Sequence, residues 1–135
     1  METASKIRQW RRDPDAETIL RDVANVDFTI EQITLDEIDW AASANNCARL
    51  DKPLNEEKID EYSSGFARND VFPMIVCERS KNGKYTILGG NQRCAGLKRV
   101  DQHASVSAYI VNILVTAERE LIISSTRSCL FVSTV

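Results

Sequence analysis

The run Lys84-Tyr-Thr-Ile-Leu-Gly-Gly-Asn-Gln-Arg-Cys-Ala-Gly-Leu-Lys-Arg99 constrains the fold more than any other stretch, because its hydrophobic period changes in the middle. Tyr85 to Leu88 are apolar and β-prone, and Gly89-Gly90 end the strand they predict. From Asn91 onward Cys94, Leu97 and Val100 recur at helical spacing, with Asn91 as a good N-cap. Strand, double-glycine turn and helix therefore follow one another without a linker.

Two choices in this run oppose plain stability. A helix N-terminus carries partial positive charge, yet the first turn holds Arg93 and no acid precedes Asp101, an arrangement unfavourable by roughly 0.3–1 kcal/mol. Gly96 falls in the helix interior, where glycine costs about 1 kcal/mol relative to alanine. Both choices make sense if an anion docks on the backbone N–H groups of the turn. Arg93 is then its counter-charge, and the glycines allow close approach. The plainer alternative stays open: Arg93 pairs with a carboxylate elsewhere, and the glycines only turn the chain.

Composition narrows the classes. A chain of 135 residues with 43% hydrophobic and 27% charged content is of a size and make-up for one globular domain. No run approaches the ~20 apolar residues of a membrane span, and the polar N-terminus does not read as a signal peptide. Cys47, Cys77, Cys94 and Cys129 are scattered, without a Cys-x-x-Cys pair or a neighbouring histidine. Reduced, buried thiols, no metal centre and a cytoplasmic location are expected. The net charge of −3 argues against strong non-specific DNA binding by this piece alone. Leu130-Phe-Val-Ser-Thr-Val135 stops on apolar residues, from which a longer parent polypeptide is expected.

Along the chain, residues 1–27 read as an N-terminal arm and short helix, and 28–135 as the main domain. Lys6, Arg8, Arg11 and Arg12 surround Trp10 in a basic arm expected to be mobile. Asp13-Pro-Asp-Ala-Glu17 is a helix start with a cap, a proline and first-turn acids; Ile19, Leu20 and Val23 form its apolar face. A strand is expected through Phe28–Leu35. A helix follows from Asn55, with Ile59, Tyr62 and Phe66 as its buried stripe. Val71–Glu78 predicts a strand started by Pro73, and Asn82-Gly83 a type I′ hairpin that places Tyr85–Leu88 centrally in the sheet. Val106, Ala108 and Ile110 alternate as another strand, and Thr116 is expected to cap a last helix from Ala117 to about Arg127.

Phe72-Pro-Met-Ile-Val-Cys77, Tyr85-Thr-Ile-Leu-Gly-Gly-Asn-Gln-Arg93 and Ala95-Gly-Leu-Lys98 together resemble the core of the ParB/sulfiredoxin superfamily. The similarity spans roughly residues 28–130 and is specific between Phe72 and Lys98. It implies an α+β, ParB/sulfiredoxin-like fold, with a small mixed sheet flanked by helices in a single domain. In that superfamily the arginine of the glycine turn contacts nucleotide phosphates. Partition proteins bind and slowly hydrolyse CTP and clamp DNA, sulfiredoxin uses ATP to repair an overoxidised cysteine, a related enzyme phosphorylates free serine, and some members are labelled nucleases.

Carried over residue by residue, the resemblance implies a phosphate site of Gly89, Gly90, Asn91, Gln92 and Arg93, and a loop over Ala44–Arg49 with Arg49 at the position of the family's loop arginine. Asn91 stands where sulfiredoxin has its cysteine and partition proteins a glutamate. It supplies neither thiolate nor base, so sulfiredoxin chemistry is not expected. Gln92 replaces a second basic residue, and Ile123-Ser124 replaces the Glu-Asn of the family's last helix. The reading is a domain binding CTP or another nucleoside triphosphate, with magnesium accompanying it, in a bacterial, plasmid or phage protein of DNA partition or regulation. DNA contact is expected outside this chain, and a homodimer is left open. The alternatives are a weak NTPase, kinase or nuclease on the same scaffold, using Asp36, Glu37 or Asp39, and a non-catalytic interaction module with a vestigial pocket.

Overall fold

The structure is a computed structural model that describes residues 8–49, 54–112 and 114–126, without the side chains of residues 47–49. In chain order its elements are β1 (Trp10–Arg11), α1 (Pro14–Thr18) continuing as a wider π turn over Ile19–Val23, and β2 (Thr29–Thr34). A 3-10 turn at Leu35–Glu37 leads to α2 (Trp40–Arg49) and α3 (Glu56–Ala67). Then come β3 (Phe72–Pro73), β4 (Ile75–Arg79), β5 (Tyr85–Gly89), α4 (Asn91–Val100), β6 (Ser105–Val111) and α5 (Thr116–Thr126).

This is a mixed α+β domain. Its main sheet has four strands in the order β2-β6-β4-β5; β4 and β6 run parallel, and the outer pairs are antiparallel. Successive side chains of a strand point to opposite faces, so the sheet feeds two apolar clusters. One gathers Ile75, Cys77, Ile87, Val106, Ala108 and Ile110 with Phe66 of α3 and Leu97 of α4. The other gathers Val76, Leu88, Tyr109 and Val111 with Leu20, Ile122 and Ile123. Covering both faces explains the near-continuous apolar runs in β4, β5 and β6.

β5 is an edge strand in hydrogen bonding, not the central strand expected. Its exposed backbone edge is covered by α2 instead. The Ile87 N–H donates to Ser43 Oγ at 2.9 Å, Asn46 Nδ2 donates to Ile87 O at 2.9 Å, and Asp39 N donates to Tyr85 O at 2.8 Å. Satisfying an edge this way removes a template for aggregation and buries β5 completely. The same α2 replaces the loop expected at Ala44–Arg49.

Other boundaries shift for local reasons. The β4–β5 connection has positive φ only at Gly83 (+84°), and Gly83 N donates to Ser80 O at 3.1 Å. That is a three-residue loop ending in a left-handed glycine, not the two-residue type I′ turn. The strand expected over Val71–Glu78 divides at Met74, because β3 leaves the main sheet to pair with β1. Residues 8–12 are accordingly docked rather than mobile: Arg8 Nη1 donates to Phe66 O at 2.8 Å, and the Trp10 ring lies 5.6 Å from that of Phe66. Val23 and Val100, expected in apolar stripes, are exposed.

Candidate site at the glycine bend

β5 ends on Gly89, and the chain reverses at Gly90, whose φ of +113° lies in the region that favours glycine. A Cβ on Gly90 would stand 2.5 Å from Ile75 Cγ2, and one on Gly89 would stand 2.9 Å from Thr126 Cβ. Both glycines thus press the backbone against β4 and α5. Gly90, not Asn91, is the N-cap of α4, and Asn91 is its first helical residue.

The three residues that open α4 diverge because successive helical positions are about 100° apart. Asn91 is buried. Gln92 is buried as well, and its Oε1 accepts the Asn55 N–H at 2.7 Å, joining α4 to the start of α3. Arg93 turns the other way. Its Nη1 donates to Pro73 O at 2.6 Å and Met74 O at 3.2 Å, holding the guanidinium against the β3–β4 junction. Those partners are neutral carbonyls, and no described carboxylate pairs with Arg93.

A cavity of about 570 Å³ opens beside this bend, lined there by Gly89 and Arg93 with Met74 and Val76 of the strand region. Two further walls were not anticipated. α1 contributes Asp13, Asp15 and Thr18, and the end of α5 contributes Ser125 and Thr126. The volume falls within the ~300–1,000 Å³ of small-molecule sites. Asp13 and Asp15 are also the cap and a first-turn acid of α1, as the sequence predicts: Asp13 Oδ1 accepts the Ala16 N–H at 3.2 Å. No spacing in the sequence announces that α1 folds over the glycine bend. The sole hint is Ser124-Ser125-Thr126, a hydroxyl-rich end to an otherwise apolar helix.

The acids considered for catalysis lie away from the cavity lining and have structural work. Glu37 accepts the Thr34 N–H at 2.8 Å, Asp39 caps α2 through the Ala42 N–H at 3.0 Å, and Asp36 contacts His103 at 2.9 Å. The Arg49 side chain, and those of Cys47 and Cys129, lie outside the described residues. Cys77 and Cys94 are free and fully buried; burial pushes the Cys77 thiol well up and that of Cys94 to about 12. Neither is poised as a nucleophile.

Among the described residues there is no cluster of three or more His, Cys, Asp or Glu able to hold a metal ion. The carboxylate and hydroxyl oxygens of the cavity are nevertheless the donor type that magnesium accepts when phosphates supply its remaining ligands. No described helix is long and apolar enough to cross a membrane. No protein-family model matches the chain, and no curated protein matches it.

Proposed function

We propose that this chain is a nucleotide-binding domain of the ParB-like type, taking CTP or another nucleoside triphosphate in the cavity beside the glycine bend. It acts as the ligand-responsive part of a DNA-partition or regulatory protein whose DNA contacts lie outside this chain. The observation that carries the reading is the meeting of Gly89 and Arg93 in one cavity, with the guanidinium charge uncompensated by a described carboxylate. In a partly desolvated site such a charge favours a phosphate oxygen over water. Ser125 and Thr126 add hydroxyl groups on the same lining. Gln92 is buried, its Oε1 is taken by the Asn55 N–H and it carries no charge, so Arg93 is the principal counter-charge.

A thermal-shift panel with CTP, ATP, ADP and GTP, with and without magnesium, tests this. A nucleotide at 100 times its dissociation constant stabilises by about 2.7 kcal/mol, and Arg93→Ala abolishes that gain. Failure of every nucleotide to shift the melting temperature favours the non-catalytic interaction module. Turnover of the shifting nucleotide favours the enzyme alternative, for which Asp13 and Asp15 are now the carboxylates nearest to hand.

A further inference from the structure

The two edges of the main sheet are finished differently. At β5 the backbone is sealed by Ser43 and Asn46 of α2. At the other end of the order β2-β6-β4-β5, no described strand pairs with the outer edge of β2.

The hydrogen-bond phase fixes which groups β2 leaves outward. Leu35 N donates to Ala104 O at 2.9 Å, continuing the register that sets Thr34 against Ser105. Antiparallel pairs alternate between bonded and non-bonded, so Thr29, Glu31 and Ile33 turn their backbone groups to β6, and Ile30, Gln32 and Thr34 turn theirs away from it. Thr34 agrees with this phase, because its N–H donates to Glu37 at 2.8 Å and not to β6. The N–H and C=O groups of Ile30 and Gln32, both exposed residues, therefore face outward along the edge.

Edge strands are normally blunted by a proline, a bulge or a charge. β2 has no proline, and its register with β6 is unbroken over six residues. Its one charge is drawn inward: Glu31 accepts from Arg79 Nη2 of β4 at 2.7 Å and from Tyr85 Oη of β5 at 3.4 Å. Ile30, on the other face, is 44% exposed.

We infer that β2 pairs antiparallel with β2 of a second copy of this chain, about a two-fold axis through Gln32, so that two four-stranded sheets join edge to edge. Such closed two-fold pairs are the commonest homo-oligomers, and they require an edge compatible with itself. The strand's own sequence selects the register. An axis through Glu31 sets it against Glu31 of the second copy with Cα atoms about 4.5 Å apart, like charges face to face. An axis through Gln32 sets that neutral residue against its mate, Glu31 against Ile33, and Ile30 against Thr34 as a β-branched pair. The two Gln32 residues then exchange N–H···O bonds, and each Ile30 N–H reaches the Thr34 carbonyl of the other copy. The Glu37 cap on the Thr34 N–H stays in place. None of this depends on the phosphate-ligand reading.

The experiment is sedimentation equilibrium of the wild-type chain, Gln32→Pro and Gln32→Lys up to about 1 mM, the range of weak association. The Gln32 N–H takes no part in the β2–β6 ladder, so Gln32→Pro spares the monomer's sheet and removes both bonds at the axis. Gln32→Lys sets two ammonium groups opposite one another. The chain carries a net charge of −3, so a positive charge added away from the interface favours self-association and does not oppose it. The expected result is a monomer–dimer equilibrium in the wild type, weakened by about tenfold or more in each variant. Amide exchange at Ile30 and Gln32 slows as the wild type is concentrated, and an isotope-filtered spectrum of a mixed-label sample shows Glu31 Hα against Ile33 Hα of the second copy. If Gln32→Pro does not fold, Gln32→Lys and amide exchange decide alone. A wild type that stays monomeric leaves the edge to an extended segment of another protein and overturns the inference. So does a dimer that Gln32→Lys retains at full strength, or protection of the Ile30 and Gln32 amides in the monomer, which means that the chain covers its own edge.

Discussion

The two flanks of α4 are built on opposite plans. On the α3 side Ser63, Gln92 and Arg99 are all engaged within the protein. A Cβ on Gly96 would stand 2.6 Å from Tyr62 Cβ and 2.9 Å from Ile59 O, so the missing side chain is what lets the two helices touch. Ser63 Oγ donates to Gly96 O at 2.9 Å, Gln92 takes the Asn55 N–H, and Arg99 bridges Glu56 and Asp60 at 2.6 and 2.5 Å. On the α1–α5 side a cavity remains, with an arginine bonded only to carbonyls and an acid without a described partner. Features that oppose helix propensity thus have two different causes: Gly96 serves a close helix crossing, and Arg93 faces open volume.

The contrast can be broken by substitution. The largest effect is expected at the bend that both flanks share. Gly90→Ala forces a side chain to φ +113° and into Ile75, and strain plus overpacking destabilise by about 2–4 kcal/mol in denaturant melts. Gly96→Ala comes next. Its better helix propensity, about 1 kcal/mol, is outweighed by pushing α3 away, leaving a net loss of roughly 1–2 kcal/mol; a gain in stability breaks the close-crossing account. Gln92→Ala leaves the Asn55 N–H without its partner and costs about 1–2 kcal/mol, while preserving any nucleotide-induced shift. Arg93→Ala, by contrast, costs the apo protein only about 1 kcal/mol and removes the shift.

The smallest effect concerns the wall that carries Asp15. Hydrogen bonds from Arg12, then Tyr109, hold the Glu17 carboxyl down at about 2, against an ordinary value of 4.5. A depressed carboxyl contributes its stability fully above the ordinary value, and loses it as pH falls toward the folded one. The melting-temperature difference between wild type and Glu17→Gln should therefore be greatest above pH 4.5 and vanish near pH 2. A difference that persists at pH 2 means the Glu17 carboxylate is not what fastens α1.

Local grammar was legible in the sequence at several helix starts and strands, though not at Asn82-Gly83 or Asn91. Asp13 and Asn55 cap their helices as their positions predicted, and Tyr85–Leu88 form a strand. What was hidden depends on contacts between distant segments. Trp10–Arg11 pairing with Phe72–Pro73, and α2 sealing the edge of β5, come from side chains such as Ser43 and Asn46 with no periodic signature of tertiary contact. At the site, the glycine bend followed from the residue pattern, and Gln92 and Arg93 were both expected at the phosphate site; that α3 engages Gln92 depends on a contact between distant segments. Asp15 was unreadable as a cavity residue because its helical reading was already sufficient.

The most direct test of the central claim is an amide NMR titration of the wild-type chain and Arg93→Ala with magnesium–CTP. The account predicts saturable shifts at Gly89–Arg93 together with Ser125–Thr126 in the wild type, and none in the variant. Shifts centred instead on another hollow, lined by Asn45, Lys81, Thr86 and Arg119, or shifts that survive Arg93→Ala, contradict it.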